Sequence, residues 1–123
     1  MEVVAVIGAS SDPSRYSYKA ISLLKEYGHR PIPVHPREES VQGIKVVHNL
    51  GELAQAKDKV DTITVYVNPA ISDKYEKDIL AVHPKRVIFN PGAENPRLED
   101  TLTQNGIKVE NACTLVLLRI SQF

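Results

Sequence analysis

The chain of 123 residues has no tryptophan, one methionine and one cysteine, Cys113. A lone cysteine excludes an internal disulfide and a Cys-rich metal centre. The four histidines, His29, His35, His48 and His83, lack the close spacing of a metal motif, so no structural metal is expected. Net charge is also absent, with Lys plus Arg and Asp plus Glu each numbering 15. Without a basic stripe, nucleic acid is not an expected partner. No apolar run approaches membrane-spanning length and no basic, apolar leader precedes the first strand pattern, so no membrane is expected and the expected location is cytoplasmic. A glycine-rich fingerprint is missing too. Of Gly-x-Gly-x-x-Gly only the first position is met, at Gly8, while Ser10 and Pro13 take the other two glycine places. That makes a weak signature for NAD.

What is present is organised around Val3 to Tyr18. Val3 to Ile7 is a short apolar run rich in β-branched residues, as in a parallel strand buried on both faces, and is expected to be central. Gly8, Ala9, Ser10 and Ser11 follow, then Asp12-Pro13 and a helical pattern from Ser14 to Tyr27. Small side chains let a ligand approach the backbone, and the N-terminal N–H groups of a helix attract an anion. Ser10, Ser11, Ser17 and Arg15 are the side chains that would supplement those donors. The alternative is that Asp12 caps the helix, Pro13 occupies its first position and Arg15 is only solvated.

Strand and helix signals alternate through residues 1–123, read as one domain. Arg30 to Val34 is a second strand, made short or irregular by Pro31 and Pro33. It ends on His35, Pro36 and Arg37, where a dinucleotide-binding unit usually carries an acidic residue for a ribose diol. A cation there suits a phosphorylated ribose, unless Arg37 merely balances Glu38 and Glu39. Gly43 marks a turn before a short edge strand, Lys45 to His48, and Gly51 to Ala56 reads as a weak helix. Asp61 to Val67 alternates Ile63, Val65 and Val67 against Thr62, Thr64 and Tyr66. Asn68 as cap with Pro69 at the first helical position starts a helix whose buried face is Ile71, Tyr75, Ile79, Leu80 and Val82. Arg86 to Phe89, a helix begun by Asn95-Pro96, the strand Ile107 to Glu110 and the apolar run Leu115 to Leu118, by length a strand or a buried helix and by its place after a strand a helix, complete the pattern.

This alternation predicts an α/β, Rossmann-like parallel sheet with helices on both faces, in three layers. Ligands of such sheets bind beyond the carboxyl ends of the strands. Gly8 to Ser11, His35 to Arg37, Asn68-Pro69, Asn90 to Gly92 and Asn111 to Cys113 should therefore form one rim.

On these residues the chain resembles the small stand-alone CoA-binding proteins, whose fold is similar to the CoA-binding N-terminal domain of the succinyl-CoA synthetase alpha subunit. The resemblance covers nearly the whole chain. It rests on Val-Ile-Gly-Ala-Ser at Val6 to Ser10, Pro13, Arg15 with Ser17-Tyr18, Pro-Val-His-Pro at Pro33 to Pro36, and Gly43. It implies coenzyme A or an acyl-CoA as ligand, with Gly8, Ala9, Ser10, Arg15 and Ser17 at the diphosphate and Pro36 and Arg37 near the 3′-phospho-adenosine. His35 stands where the family commonly has Asn. Val67-Asn68 replaces a frequent Phe-Arg, and Ala112 replaces an Arg before the late cysteine.

Three functions follow for test. The leading one is a non-catalytic CoA or acyl-CoA binding module, acting alone as a sensor or with a larger protein partner. The second is a small enzyme acting on a CoA thioester or nucleotide at the same rim. The third is a degenerate Rossmann domain kept for protein contacts. Cys113 is the one candidate nucleophile, near a helix start, and its alternative role is a small buried apolar residue.

Overall fold

A computed structural model describes residues 1–57 and 59–123. Five parallel strands form one sheet in the order β2-β1-β5-β6-β7: β1 (Val3–Ile7), β2 (Arg30–Val34), β5 (Thr62–Val65), β6 (Arg86–Phe89) and β7 (Lys108–Asn111). Two helices, α1 (Tyr16–Glu26) and α5 (Thr114–Arg119), lie on one face, where Ile21, Leu24 and Leu118 pack with Val4 and Val6. The other face is covered by a 3₁₀ segment (Leu50–Gln55), the short helix α2 (Pro69–Ser72), α3 (Glu76–Val82) and α4 (Pro96–Gln104). There Leu50, Ile79, Leu98 and Leu102 meet Ala5, Ile7, Ile63, Val65, Val87 and Phe89. The fold is thus the expected three-layer Rossmann-like arrangement. Among the described residues no helix is long and apolar enough to cross a membrane.

Every residue of β1 is buried, as a β-branched strand enclosed on both faces requires. It is interior but one place from the edge, and the middle strand is β5. Helix α1 buries Ser17, Ala20, Ile21 and Leu24, the i, i+3, i+4, i+7 stripe of an amphipathic helix.

The expected edge strand Lys45 to His48 is not formed. Gln42 and Gly43 both have positive φ, 51° and 77°, the signature of a two-residue hairpin turn. They fold β3 (Ser40–Val41) back on β4 (Ile44–Lys45) as a separate antiparallel pair. Of the residues 45–48, Val47 alone pairs with the sheet, bridging Val34, while Val46 packs into the core beside Val4 and Val6. The outer strands are β2 and β7.

The alternation along β5 does separate two environments, yet both are buried. Ile63 and Val65 enter the apolar core, whereas Thr64 donates to or accepts from Thr114 Oγ1 at 2.8 Å on the α5 side. Asn68 caps α2 through its side chain and Pro69 stands in the first turn, as the sequence predicts. Ile71 is not buried: 41 % of it stays exposed, because α2 ends at Ser72 and tightens into a 3₁₀ turn, Asp73–Tyr75, before α3.

Candidate functional site

Strand order reverses between β1 and β5, since β2 lies on one side of β1 and the later strands on the other. A crevice at the carboxyl ends of the strands opens at that point in such sheets. A cleft of about 1100 Å³ is found there.

Its floor begins where β1 ends. Gly8 has φ +86°, a conformation L residues rarely adopt, and its N–H and that of Ala9 both donate to the Val34 carbonyl, at 3.1 and 3.2 Å. The chain then turns on its own polar side chains. Ser10 Oγ accepts from the Asp12 N–H at 3.0 Å, and Asp12 Oδ1 accepts from the Ser14 N–H at 2.9 Å and the Ser14 hydroxyl at 2.8 Å. These two bonds from Ser14, with Arg15 nearby, hold the Asp12 carboxyl below the usual carboxylate range.

Asp12 therefore does not cap α1, and Pro13 is not its first residue. The helix starts at Tyr16 with Arg15 in the capping position, and no side chain accepts from its first turn. Its leading N–H groups are left to solvent or a ligand, with the positive end of the helix dipole behind them. Arg15, Tyr16 and Ser17 all line the cleft beside Gly8, Ala9 and Ser10.

The wall beyond β2 is set by His35. Its Nδ1 accepts from the N–H groups of Arg37 and Glu38, both at 3.0 Å, and His48 Nε2 bonds the Glu38 carbonyl at 2.8 Å. Accepting two donors requires an unprotonated Nδ1. His35 and Arg37 line the cleft, and so do Glu38, Glu39 and Ser40.

From β5 come Tyr66, Val67 and Asn68, with Ile71 following on α2. Asn68 spends its side-chain oxygen on the Ile71 N–H at 3.0 Å. The Tyr66 hydroxyl is buried without a hydrogen-bond partner, and burial pushes it up to about 12. The Thr64 and Thr114 hydroxyls beside it temper that rise but are bonded to one another.

From β6 come Asn90, Pro91, Gly92 and Ala93. Asn90 is 2 % exposed and its side chain is fully engaged. It donates to Thr64 Oγ1 at 2.7 Å and the Val65 carbonyl at 2.9 Å, and accepts from the Thr114 N–H at 2.9 Å. It ties β5, β6 and α5 together beneath the cleft. The Gly92 N–H is taken by Glu94 Oε1 at 2.9 Å.

The cleft thus gathers Gly8, Ala9, Ser10, Arg15, Ser17, His35, Arg37, Asn68, Asn90 and Gly92. Four expected site residues, Ser11, Pro13, Pro36 and Pro69, are exposed and do not line it. Ser11, Pro36 and Pro69 each adjoin a lining residue, Ser10, Arg37 and Asn68, whereas Pro13 lies between Asp12 and Ser14 in the turn before α1 and adjoins none. The Asn111 to Cys113 segment is outside as well, because β7 lies beyond β6, away from the reversal point. Sequence reasoning missed Tyr16, Tyr66 and Val67, and assigned Ile71 to the core. Glu38 and Glu39 were weighed only as counterions of Arg37. Adjacency to the strand ends was the one signal that could have marked them.

Comparison with known proteins shows the family of the chain. Residues 2–119 match the family model described as CoA binding domain. The chain belongs to the CoA-binding domain family. Within that family, a 51-residue stretch is 47 % identical to the acetate–CoA ligase (ADP-forming) II subunit alpha of Pyrococcus furiosus. That stretch is 41 % of this chain and 11 % of the relative, so the chain spans only a small part of that enzyme's subunit. The CoA-binding domain fold recurs in a crystal structure of an uncharacterized protein, 38 % identical, with a TM-score of 0.88 over 100 % of this chain and 98 % of the other. A Thermus thermophilus protein is 30 % identical, with a TM-score of 0.85 over 99 % of this chain and 90 % of its own.

Proposed function

We propose that this protein binds coenzyme A or an acyl-CoA in the cleft at the strand carboxyl ends and acts as a non-catalytic binding or regulatory module in the cytoplasm. One observation carries the reading: α1 begins without a side-chain cap, and its open first turn faces the same cleft as Ser10, Arg15 and Ser17. Backbone donors, a helix dipole and a guanidinium converging on one place suit a diphosphate. The volume exceeds the common small-molecule range of roughly 300–1,000 Å³ and leaves room for the pantetheine arm toward Val67, Ile71 and Pro91. In support of binding without chemistry, Cys113 is not among the residues that line the cleft.

A second reading of the ligand has an observation of its own. Glu38 and Glu39 share the wall with Arg37, and carboxylates there suit a free ribose diol, as in an unphosphorylated dinucleotide. Arg37 favours the 3′-phosphate. A native mass spectrum of freshly purified protein tests the main reading: an adduct of CoA or acyl-CoA mass supports it. A dinucleotide adduct in its place supports the second.

A further inference from the structure

The two outer strands of the sheet are guarded unequally. On β2 the Arg30 N–H turns inward to the Glu2 carbonyl, and the Pro33 carbonyl and His35 N–H turn outward to Val47. Residues 31 and 33 therefore present their backbone outward, and both are proline, which has no N–H to offer. With no outward N–H at 31 or 33, and the Pro33 carbonyl and His35 N–H already bonded to Val47, that edge is closed to a further strand, a common protection against pairing.

On β7 the parity is the same and the protection is absent. The Lys108 N–H donates inward to the Lys85 carbonyl and the Ala112 N–H to the Phe89 carbonyl. Val109 and Asn111 thus turn their backbone groups outward, and no strand among the described residues pairs with that side. The sequence there is Lys-Val-Glu-Asn, with no proline or glycine.

We infer that β7 is a self-pairing edge through which two copies of this chain join their sheets around a twofold axis. The register follows from charge. With Val109 opposite Val109 of the partner subunit, the two exchange N–H and carbonyl bonds, and the Asn111 N–H meets the carbonyl of the partner subunit's Ile107. Lys108 then lies directly opposite Glu110 of the partner subunit, on the same face of the sheet. Opposite charges facing one another across antiparallel strands stabilise the pair, and the symmetry makes this contact twice. Lys108 is free to swing to it, being 69 % exposed and 3.6 Å from its own Glu110, while Arg86 holds Glu110 in place from within at 3.2 Å. Because the β2 edge is closed to pairing, association stops at two and does not run on into a fibre.

Sedimentation equilibrium from about 1 to 100 µM tests this, since a dimer's stability depends on protomer concentration. The expected mass is twice the 13.7 kDa of the chain. Lys108→Glu places like charges opposite one another twice and should weaken dimerisation by about tenfold or more. Val109→Pro removes an outward donor that the monomer does not use and should yield a monomer with unchanged circular dichroism. Should Val109→Pro misfold, Lys108→Glu alone decides. A wild-type monomer across the whole range, or a dimer indifferent to Lys108→Glu, overturns the inference.

Discussion

A Cβ placed on Gly8 would stand 2.8 Å from Val67 Cγ1 and 3.3 Å from the Tyr66 carbonyl oxygen. The turn that follows β1 is thus pressed against the end of β5, and the cleft floor exists because the first of these residues has no side chain. Gly8→Ala adds both that crowding and the cost of a left-handed backbone, roughly 1–2 kcal/mol for the backbone alone. Its melting temperature should fall by about 4 °C or more, with ligand affinity reduced as the loop shifts.

Asn90 is predicted to matter for stability more than for ligand contact. Asn90→Ala strands the Thr114 N–H in the interior, while the Val65 carbonyl keeps the backbone N–H of residue 90, and one stranded donor should cost roughly 1–3 kcal/mol. Urea denaturation should show the midpoint falling while the slope is kept.

Stability should fall in acid in two steps with different owners. Burial, opposed by Glu2 and aided by the N-terminal ammonium and Arg86, holds His29 below its ordinary 6.5, and His29 Nδ1 accepts the Glu2 N–H at 3.0 Å. The unfolded chain binds the proton more readily, so stability is full above about 6.5 and is lost as pH falls toward the folded value. Asp61 is held below 3.8 chiefly by the Val3 N–H, at 2.9 Å, with Lys85 assisting. Its contribution is present above 3.8 and disappears as pH falls through the lowered value. Melting temperatures of His29→Phe should be flatter than wild type between about pH 7 and 5, and those of Asp61→Asn flatter below about pH 4.

Arg15 should matter for binding and not for folding. Its side chain is 72 % exposed and reaches Asp12 only at 4.0 Å, an ion pair that adds little to stability. A charge-assisted contact to phosphate is worth roughly 1.5–3 kcal/mol, so Arg15→Ala should loosen CoA by about tenfold or more. Calorimetric titration and a thermal melt on the same variant separate the two effects.

The sheet was legible in the sequence because β-branched runs, Asn-Pro starts and Gly stops are local signals. Val3 to Ile7, Asn68-Pro69 and Asn95-Pro96 all stand where those signals put them. The Lys45 to His48 strand was misread because a two-residue turn at Gln42-Gly43 redirects the chain, and Gln42 carries no obvious mark of a positive φ. At the site, the residues on β1, β2, β5 and β6 were found by the rule that ligands gather at strand ends. Side-chain direction was not legible. Pro36 and Arg37 are adjacent, yet only Arg37 lines the cleft, and Asp12 looks like a helix cap while it builds the turn before the helix.

Preference of the cleft for CoA over NAD is read by melting the protein with CoA, dephospho-CoA, NADP and NAD in parallel. A ligand at one hundred times its dissociation constant stabilises by about 2.7 kcal/mol, a shift of several degrees for a domain of this size. The largest shift is expected with CoA and a smaller one with dephospho-CoA, with a gap between them that Arg37→Ala removes. A clear shift with NAD and none with CoA would contradict that preference.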